Sequence, residues 1–212
     1  MAIRVPTASD ETPEMIDPFE GLTDLFRQVL RTPLDPEISF GDDPLRMLRL
    51  FRFVARLGFI PDEDAVSAVH GMHERLEIVS AERIKGELDR LMIGDHVGPA
   101  LWGLVDTGLA EEFSPELPAL ALEIDPIHQH KDVLAHTIAV VEKTSARLEL
   151  RLAALVHDIG KPATREFGPG GDTFHPHEVV GTRMTRRRMK ALRYSKQTTE
   201  DVSRLVFLHM RP

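Results

Sequence analysis

Arg151-Leu-Ala-Ala-Leu-Val-His157-Asp158-Ile-Gly-Lys-Pro162 is an apolar run that reaches an adjacent histidine and aspartate and then stops. Its periodicity predicts a helix. Gly160 is expected to take the left-handed turn that closes it, and Pro162 to forbid its continuation. The helix would then present an imidazole and a carboxylate at its C-terminus. Alone, the pair reads as a histidine suited to the helix dipole beside a solvated aspartate. Working outward, His136 lies in a second apolar-periodic segment, Lys131-Asp-Val-Leu-Ala-His136-Thr-Ile-Ala-Val-Val141, and His175, His177 and His209 follow downstream. The sequence has no cysteine, so imidazole and carboxylate are the ligands left for a divalent ion. An antiparallel helix pair would set His136 against His157 and Asp158, with the later histidines closing the site.

The H…HD…H pattern, with the Ile-Gly-Lys-Pro that follows it, resembles the HD-domain metal phosphohydrolases. The resemblance implies a divalent metal (Mn, Ni, Mg, Fe or Zn) held by His136, His157, Asp158, His177 and His209, with His157 and Asp158 as the catalytic pair. It also implies hydrolysis of RNA or nucleotide phosphoesters, with Lys161 and His175 available to substrate phosphate. HD domains generally add an aspartate from a later helix, and no acid follows His209 in this sequence. His70, His73, His96, His128 and His130 read as surface residues.

With 212 residues the chain is long enough for one or two domains, and its 42% apolar and 28% charged content is that of an ordinary globular protein. No apolar run approaches a membrane span and the N-terminus lacks a signal-peptide layout, so a cytoplasmic protein without a membrane partner is expected. A net charge of −8 argues against a general nucleic-acid binder, but the charge is segregated. Residues 1–43 carry ten acids against three bases, whereas residues 181–199 carry seven Lys or Arg and no acid. In that tract Arg183, Arg186, Arg187, Lys190 and Arg193 recur at three- and four-residue steps. They read as a solvated helix face or as a contact to RNA backbone, with no acid nearby in the sequence to balance them.

Toward the N-terminus, Met1–Val5 and Val29–Thr32 read as short strands, a remnant whose partners lie elsewhere. Asp43 caps a helix that opens with Pro44 and ends at Gly58. Met47, Leu48, Leu50, Phe51, Val54, Ala55 and Leu57 share one face of it, and Arg46, Arg49, Arg52 and Arg56 the other. A cation in the first turn opposes the dipole, which marks Arg46 as a residue placed for a ligand. Three further helices are expected, ending near Met72, Met92 and Gly108, with Trp102 in the core. The Pro-punctuated Phe113–Pro118 is a linker, Phe167–Asp172 a flexible loop, and Gly181–Tyr194 and Thr198–Met210 the last helices.

Three blocks, Ile16-Asp-Pro-Phe-Glu-Gly-Leu-Thr-Asp-Leu25, Asp42-Asp-Pro-Leu-Arg46 running into Leu48–Phe53, and Ser80-Ala-Glu-Arg-Ile-Lys-Gly-Glu-Leu88, resemble the bacterial CCA-adding tRNA nucleotidyltransferase and poly(A) polymerase family. Several bacterial members of that family carry an HD domain, so one protein accounts for both resemblances. It implies a mainly α fold: residues 1–35 a two-strand remnant of a nucleotidyltransferase head, 36–120 a helical neck and body that binds nucleotide and RNA, and 121–212 an all-α HD domain. It implies tRNA and nucleotides as partners and CTP and ATP as substrates of the parent enzyme. Asp43 and Arg46 would read the base edge, with Arg49 a further nucleotide-binding candidate, while Glu82 and Arg83 support the pocket or are surface charges. The family places a Gly-rich turn and an Asp-x-Asp pair in its head, and this sequence has neither in that setting. The expectation is a fragment that does not transfer nucleotides alone. A free-standing HD phosphohydrolase and a catalytically silent RNA-binding fragment stay open as alternatives.

Overall fold

The computed structural model describes residues 2–4, 14–122, 132–168 and 171–211. The architecture is mainly helical, as expected, and its few strands are short. β1 (Ala2–Arg4) pairs antiparallel with β2 (Glu14–Ile16). Asp17 then accepts hydrogen bonds from the Gly21 and Leu22 N–H groups and so starts α1 (Gly21–Arg27). The strand read at Val29–Thr32 is reduced to β3 (Val29–Leu30), which lies parallel to β4 (Ile60–Pro61). That pairing corrects the expectation of strands without partners, because β3 is tied to the helices that follow.

α2 (Pro36–Asp42) opens on Asp35, whose carboxylate accepts from the Glu37 and Ile38 N–H groups. α3 (Leu45–Leu57) is the centre of the first half. Asp43 is extended and its carboxylate accepts from the Leu45 N–H at 3.2 Å, while Pro44 is already helical. Gly58, at φ +70°, ends the helix in the left-handed region that glycine enters without steric cost. The apolar face of α3 is buried from Leu45 to Ala55 against α5 (Ala81–Met92) and α6 (Val97–Asp106), with α4 (Glu63–Met72) packed on α2. Each buried Leu or Phe contributes about 1.5–3 kcal/mol. Gly103 of α6 leaves room for the Phe51 ring, so the two helices approach closely.

The second half holds α7 (Val133–Lys143), α8 (Leu148–Val156), a single-turn α9 (Lys161–Thr164), α10 (His177–Ala191) and α11 (Lys196–Leu208). α10 starts earlier than the sequence suggests. The segment read as a flexible loop contains an antiparallel pair, β5 (Glu166–Gly168) with β6 (Gly171–Thr173). Gly160 is also corrected: its φ is −81°, and it begins α9 rather than closing α8 through a left-handed turn. Its missing side chain serves packing instead, since a Cβ would collide with the His177 carbonyl and stand 2.7 Å from the Gly181 nitrogen. Pro162 then occupies the first turn of α9, where its absent N–H costs nothing.

One hydrophobic core runs through both halves. Arg151, in the first turns of α8, is only 5% exposed and joins them. Its guanidinium donates to the Met92 and Gly94 carbonyls at 2.8 and 2.6 Å and to the Thr144 carbonyl at 3.1 Å. Among the described residues no helix is long and apolar enough to cross a membrane.

Candidate functional site: a histidine–aspartate cluster and a charged helix junction

Four histidines from four elements converge on Asp158. His157 and Asp158 leave the end of α8, His136 comes from α7, His177 opens α10 and His209 follows α11. The ligand atoms of His136, His157 and Asp158 lie within 4.8 Å of one another, as do those of Asp158, His177 and His209. Asp158 is 2% exposed and belongs to both groups. Its Oδ2 is 3.1 Å from His157 Nε2, and its Oδ1 is 3.6 Å from His177 Nε2 and 3.9 Å from His209 Nε2.

The ring orientations follow from the backbone. His157 Nδ1 lies 2.8 Å from the Ala154 carbonyl, His177 Nδ1 2.9 Å from that of Phe174, and His209 Nδ1 2.6 Å from that of Val206. Each carbonyl belongs to the residue three positions earlier, and a carbonyl can only accept, so the proton is assigned to Nδ1 in all three rings. Their Nε2 lone pairs therefore face the centre, where His177 and His209 Nε2 stand 3.1 Å apart. Two lone pairs at that distance repel unless a cation lies between them. This is the donor set of a borderline divalent ion, with the second nitrogen of each ring oriented by the protein.

Electrostatics agree. Burial alone would raise the Asp158 carboxyl, but His157, when its ring carries a second proton on Nε2 in the place a metal ion would take, and Lys161 hold it well below the usual carboxylate range. Lys161 Nζ meets Asp158 Oδ2 at 2.7 Å. Burial pushes the His177 imidazole down, toward the neutral form that binds metals. His175 is exposed and makes no hydrogen bond or ion pair among the described residues.

In the first half, the nucleotide candidates Asp43, Arg46 and Arg49 gather at the start of α3. Arg46 Nη1 donates to the Ser39 carbonyl and hydroxyl at 3.1 and 3.2 Å, so a cation that opposes the dipole of α3 serves the C-terminal turn of α2. Asp43 accepts from Arg83 Nη2 at 3.0 and 3.1 Å. Arg49 lies 3.8 Å from Asp43 and 3.1 Å from Glu87, and Arg52 contacts Glu87 at 2.7 Å at an angle poor for a hydrogen bond. Arg46 and Arg49 line a 680 Å³ groove with Phe40, Leu50 and Phe53. The face read as solvated is thus partly consumed by Glu87, a buried acid that sequence reasoning passed over. The signal was present: Glu87 sits beside Ile84, Leu88 and Leu91 on the buried stripe of α5.

The basic face of α10 divides. Arg183, Arg186, Arg187 and Lys190 are exposed, but Arg193 stands 3.8 Å from Glu82, and Glu200 and Asp201 of α11 line the groove beside Arg183 and Arg186. Acids distant in sequence therefore reach this face. Of the remaining histidines, His70 is exposed, His73 is 2.9 Å from Glu112, and the His96 ring fills the space beneath Gly58. His128 and His130 lie outside the described residues.

The family described as the probable RNA and SrmB-binding site of polymerase A matches residues 58–120, and the HD domain family matches residues 132–212. The chain is 35% identical over 205 residues to the CC-adding tRNA nucleotidyltransferase of Thermus thermophilus, covering 90% of this chain and 46% of that one. It is 32% identical over 209 residues to the A-adding tRNA nucleotidyltransferase of Deinococcus radiodurans, covering 92% and 48%. Its fold is similar to the Bacillus stearothermophilus CCA-adding enzyme solved with CTP, at a TM-score of 0.55 and 21% identity over 93% of this chain and 50% of that one. The chain spans about half the length of the relatives it matches.

Proposed function

We infer that this chain, whose homologues are tRNA nucleotidyltransferases, supplies the base-reading and RNA-holding helices of such an enzyme and carries a metal-dependent phosphohydrolase site for RNA or nucleotide phosphoesters. In this reading residues 36–120 are neck and body, residues 121–212 the HD domain and residues 1–35 the edge of a nucleotidyltransferase head. tRNA is the partner, and CTP and ATP are substrates of the whole enzyme. Relatives named for adding CC and for adding A are matched about equally, so the nucleotide added is not inherited from the resemblance.

The observation that carries the phosphohydrolase half is the orientation of the imidazoles: His157, His177 and His209 each have Nδ1 on a backbone carbonyl and Nε2 toward Asp158. With His136 and Asp158 they would hold a divalent ion, which supplies Lewis acidity toward a phosphoryl oxygen and toward water. Around it, the chain's own groups set charge and access. Asp158 stays ionised at all ordinary pH, and Lys161 keeps a cation beside it that can meet a phosphate oxygen. His136, the exposed member, stands on the solvent side of the cluster. In the neck, Arg83 and Arg49 fix the Asp43 carboxylate, which can accept from an exocyclic amine. Among the described residues Arg46 is anchored through Nη1 alone, leaving donors for a ring nitrogen or carbonyl.

The test is metal content of the purified chain, then hydrolysis of 2′,3′-cyclic AMP with Mn²⁺, Ni²⁺ or Mg²⁺. His157→Ala and Asp158→Ala are expected to lower metal affinity and turnover together by about 100-fold or more. A wild-type chain that takes up no metal and turns over nothing would remove the phosphohydrolase half and leave the RNA-holding half standing.

A further inference from the structure

Between α7, α8 and α11 lies a 570 Å³ groove that ends on two of the cluster histidines. Helical periodicity builds it. Val140 and Thr144 follow His136 at four-residue steps along α7. Leu150, Ala153 and Ala154 precede His157 on one stripe of α8, and Leu205 and Leu208 precede His209 on one stripe of α11. Ala153 and Ala154 are buried, whereas Leu205 and Leu208 are 38% and 37% exposed, so the alanines form the floor and the leucines the rim. His157 and His209 belong to the wall itself, their rings edge to face with centroids 5.4 Å apart. They are two of the rings that turn Nε2 toward Asp158, so a group seated in the groove touches the cluster's own imidazoles.

The lining sets the chemistry of the guest. Among the described residues no Asp, Glu, Lys or Arg lines the groove, which leaves a charged group nothing to pair with. Its one hydroxyl, on Thr144, donates to the Val140 carbonyl at 2.7 Å, and the Nδ1 protons of His157 and His209 go to the Ala154 and Val206 carbonyls. The donors of the wall are therefore spent. Aliphatic walls of this kind hold a flat, uncharged group by its faces through dispersion and burial, and do not read its edges.

We propose that this groove is the subsite for the uncharged part of the phosphoester: Leu150, Leu205 and Leu208 hold a nucleobase by its faces while the phosphate lies at the His–Asp cluster. The proposal rests on the phosphohydrolase reading of the cluster and adds the residues that select its substrate. Binding then follows the area of the base, so purines are favoured over pyrimidines, and adenine and guanine are not told apart.

The first arm of the test needs no turnover. Leucine and valine methyl resonances of the full chain are followed by nuclear magnetic resonance with Mg²⁺, on adding adenosine 3′-phosphate or inorganic phosphate. The nucleotide is expected to move the methyls of Val140, Leu150, Leu205 and Leu208 through the ring current of its base, and inorganic phosphate to leave them in place. Shifts confined to other methyls, or equal shifts with inorganic phosphate, overturn the proposal whatever the cluster does. The second arm compares hydrolysis of 2′,3′-cyclic AMP with that of ethylene phosphate, the same five-membered cyclic ester without ribose or base. Leu205→Asn, at a rim position, is expected to raise KM for 2′,3′-cyclic AMP about tenfold, with kcat and ethylene phosphate hydrolysis unchanged. Ile78→Asn, an exposed position outside the groove, should alter neither. Equal losses on both substrates in Leu205→Asn would show a structural role for the leucine and overturn the proposal. So would a preference of about 100-fold between the adenine and guanine cyclic nucleotides, which requires a donor or acceptor reading the base edge. A wild-type dimer that Leu205→Asn dissociates gives the groove to a second copy of the chain and also overturns it. A wild type inactive on both esters sinks the phosphohydrolase reading, and the methyl shifts alone then decide whether the groove holds a base.

Discussion

The two candidate sites are preorganised by opposite means. At the His–Asp cluster each of three imidazoles is oriented by a carbonyl three residues back, so the local helix end sets the ring and the fold has only to bring the ends together. At the start of α3 the charged groups are held by partners far away in sequence: Asp43 by Arg83, and Arg49 and Arg52 by Glu87. The first arrangement leaves electron pairs facing inward and waits for a cation. The second is an already balanced network, and a ligand must compete with the internal partners of Asp43 and Arg49. Local orientation suits a site that holds a permanent guest, and long-range pairing suits one whose guest comes and goes.

The largest effect should come from the residue on which both regions depend. Arg151→Met keeps the apolar stem but strips donors from the Met92, Gly94 and Thr144 carbonyls at the junction. A loss of about 3–5 kcal/mol is expected in urea unfolding, the range for removing one member of a buried charged hydrogen-bond set. A loss below about 1 kcal/mol would mean the halves are held by their apolar contacts and that the two sites are structurally independent.

Glu87→Gln probes the long-range side alone. The carboxylate is buried, but its arginine partners reach solvent, so the cost is discounted to about 1–2 kcal/mol. Metal uptake at the cluster should not change in titrations made under native conditions. A parallel loss of metal affinity would erase the contrast between the two sites.

The same contrast explains what was legible in the sequence. His136, His157 and Asp158 could be grouped from the sequence because two apolar-periodic segments carry them, whereas His177 and His209 joined the set through the resemblance to HD-domain phosphohydrolases, the helix expected from Gly181 having left His177 outside it. The α3 helix was equally readable, from Asp43 and Pro44 to Gly58. The role of Gly160 was not, because the close approach of α10 is a tertiary fact, and φ > 0 is the first use one assigns to a glycine after a helix. The pairings Asp43–Arg83, Glu87–Arg49 and Arg151 with Met92 were hidden for the same reason: a one-dimensional pattern shows that a charge lies on a face, and only the packing of α3, α5 and α8 shows what that face meets.

The smallest effect is expected at the edge of the junction, where α10 gives way to α11. The Tyr194 hydroxyl donates to Asp89 Oδ1 at 2.6 Å, and Lys85, paired with that same aspartate at 2.7 Å, lies over the ring. Burial, reinforced by the hydrogen bond and charge of Asp89, pushes the phenol far above its usual value. The folded chain therefore keeps the proton at pH values where the unfolded chain releases it. This contribution is fully present below the unfolded value of about 10 and is lost as pH rises beyond it, at about 1.4 kcal/mol per pH unit. Tyr194 is the sole tyrosine, so tyrosinate absorbance reports on it alone. It should stay absent up to the alkaline unfolding transition and appear together with the loss of helix. Tyr194→Phe should cost about 0.5–1.5 kcal/mol at neutral pH and shift that transition toward higher pH relative to its own neutral stability. Tyrosinate appearing at pH 10 in a fully helical chain would mean that Asp89 does not hold the hydroxyl. The junction would then rest on Arg151 and apolar packing, and the long-range pairing of the first half would stop short of the α10–α11 hairpin.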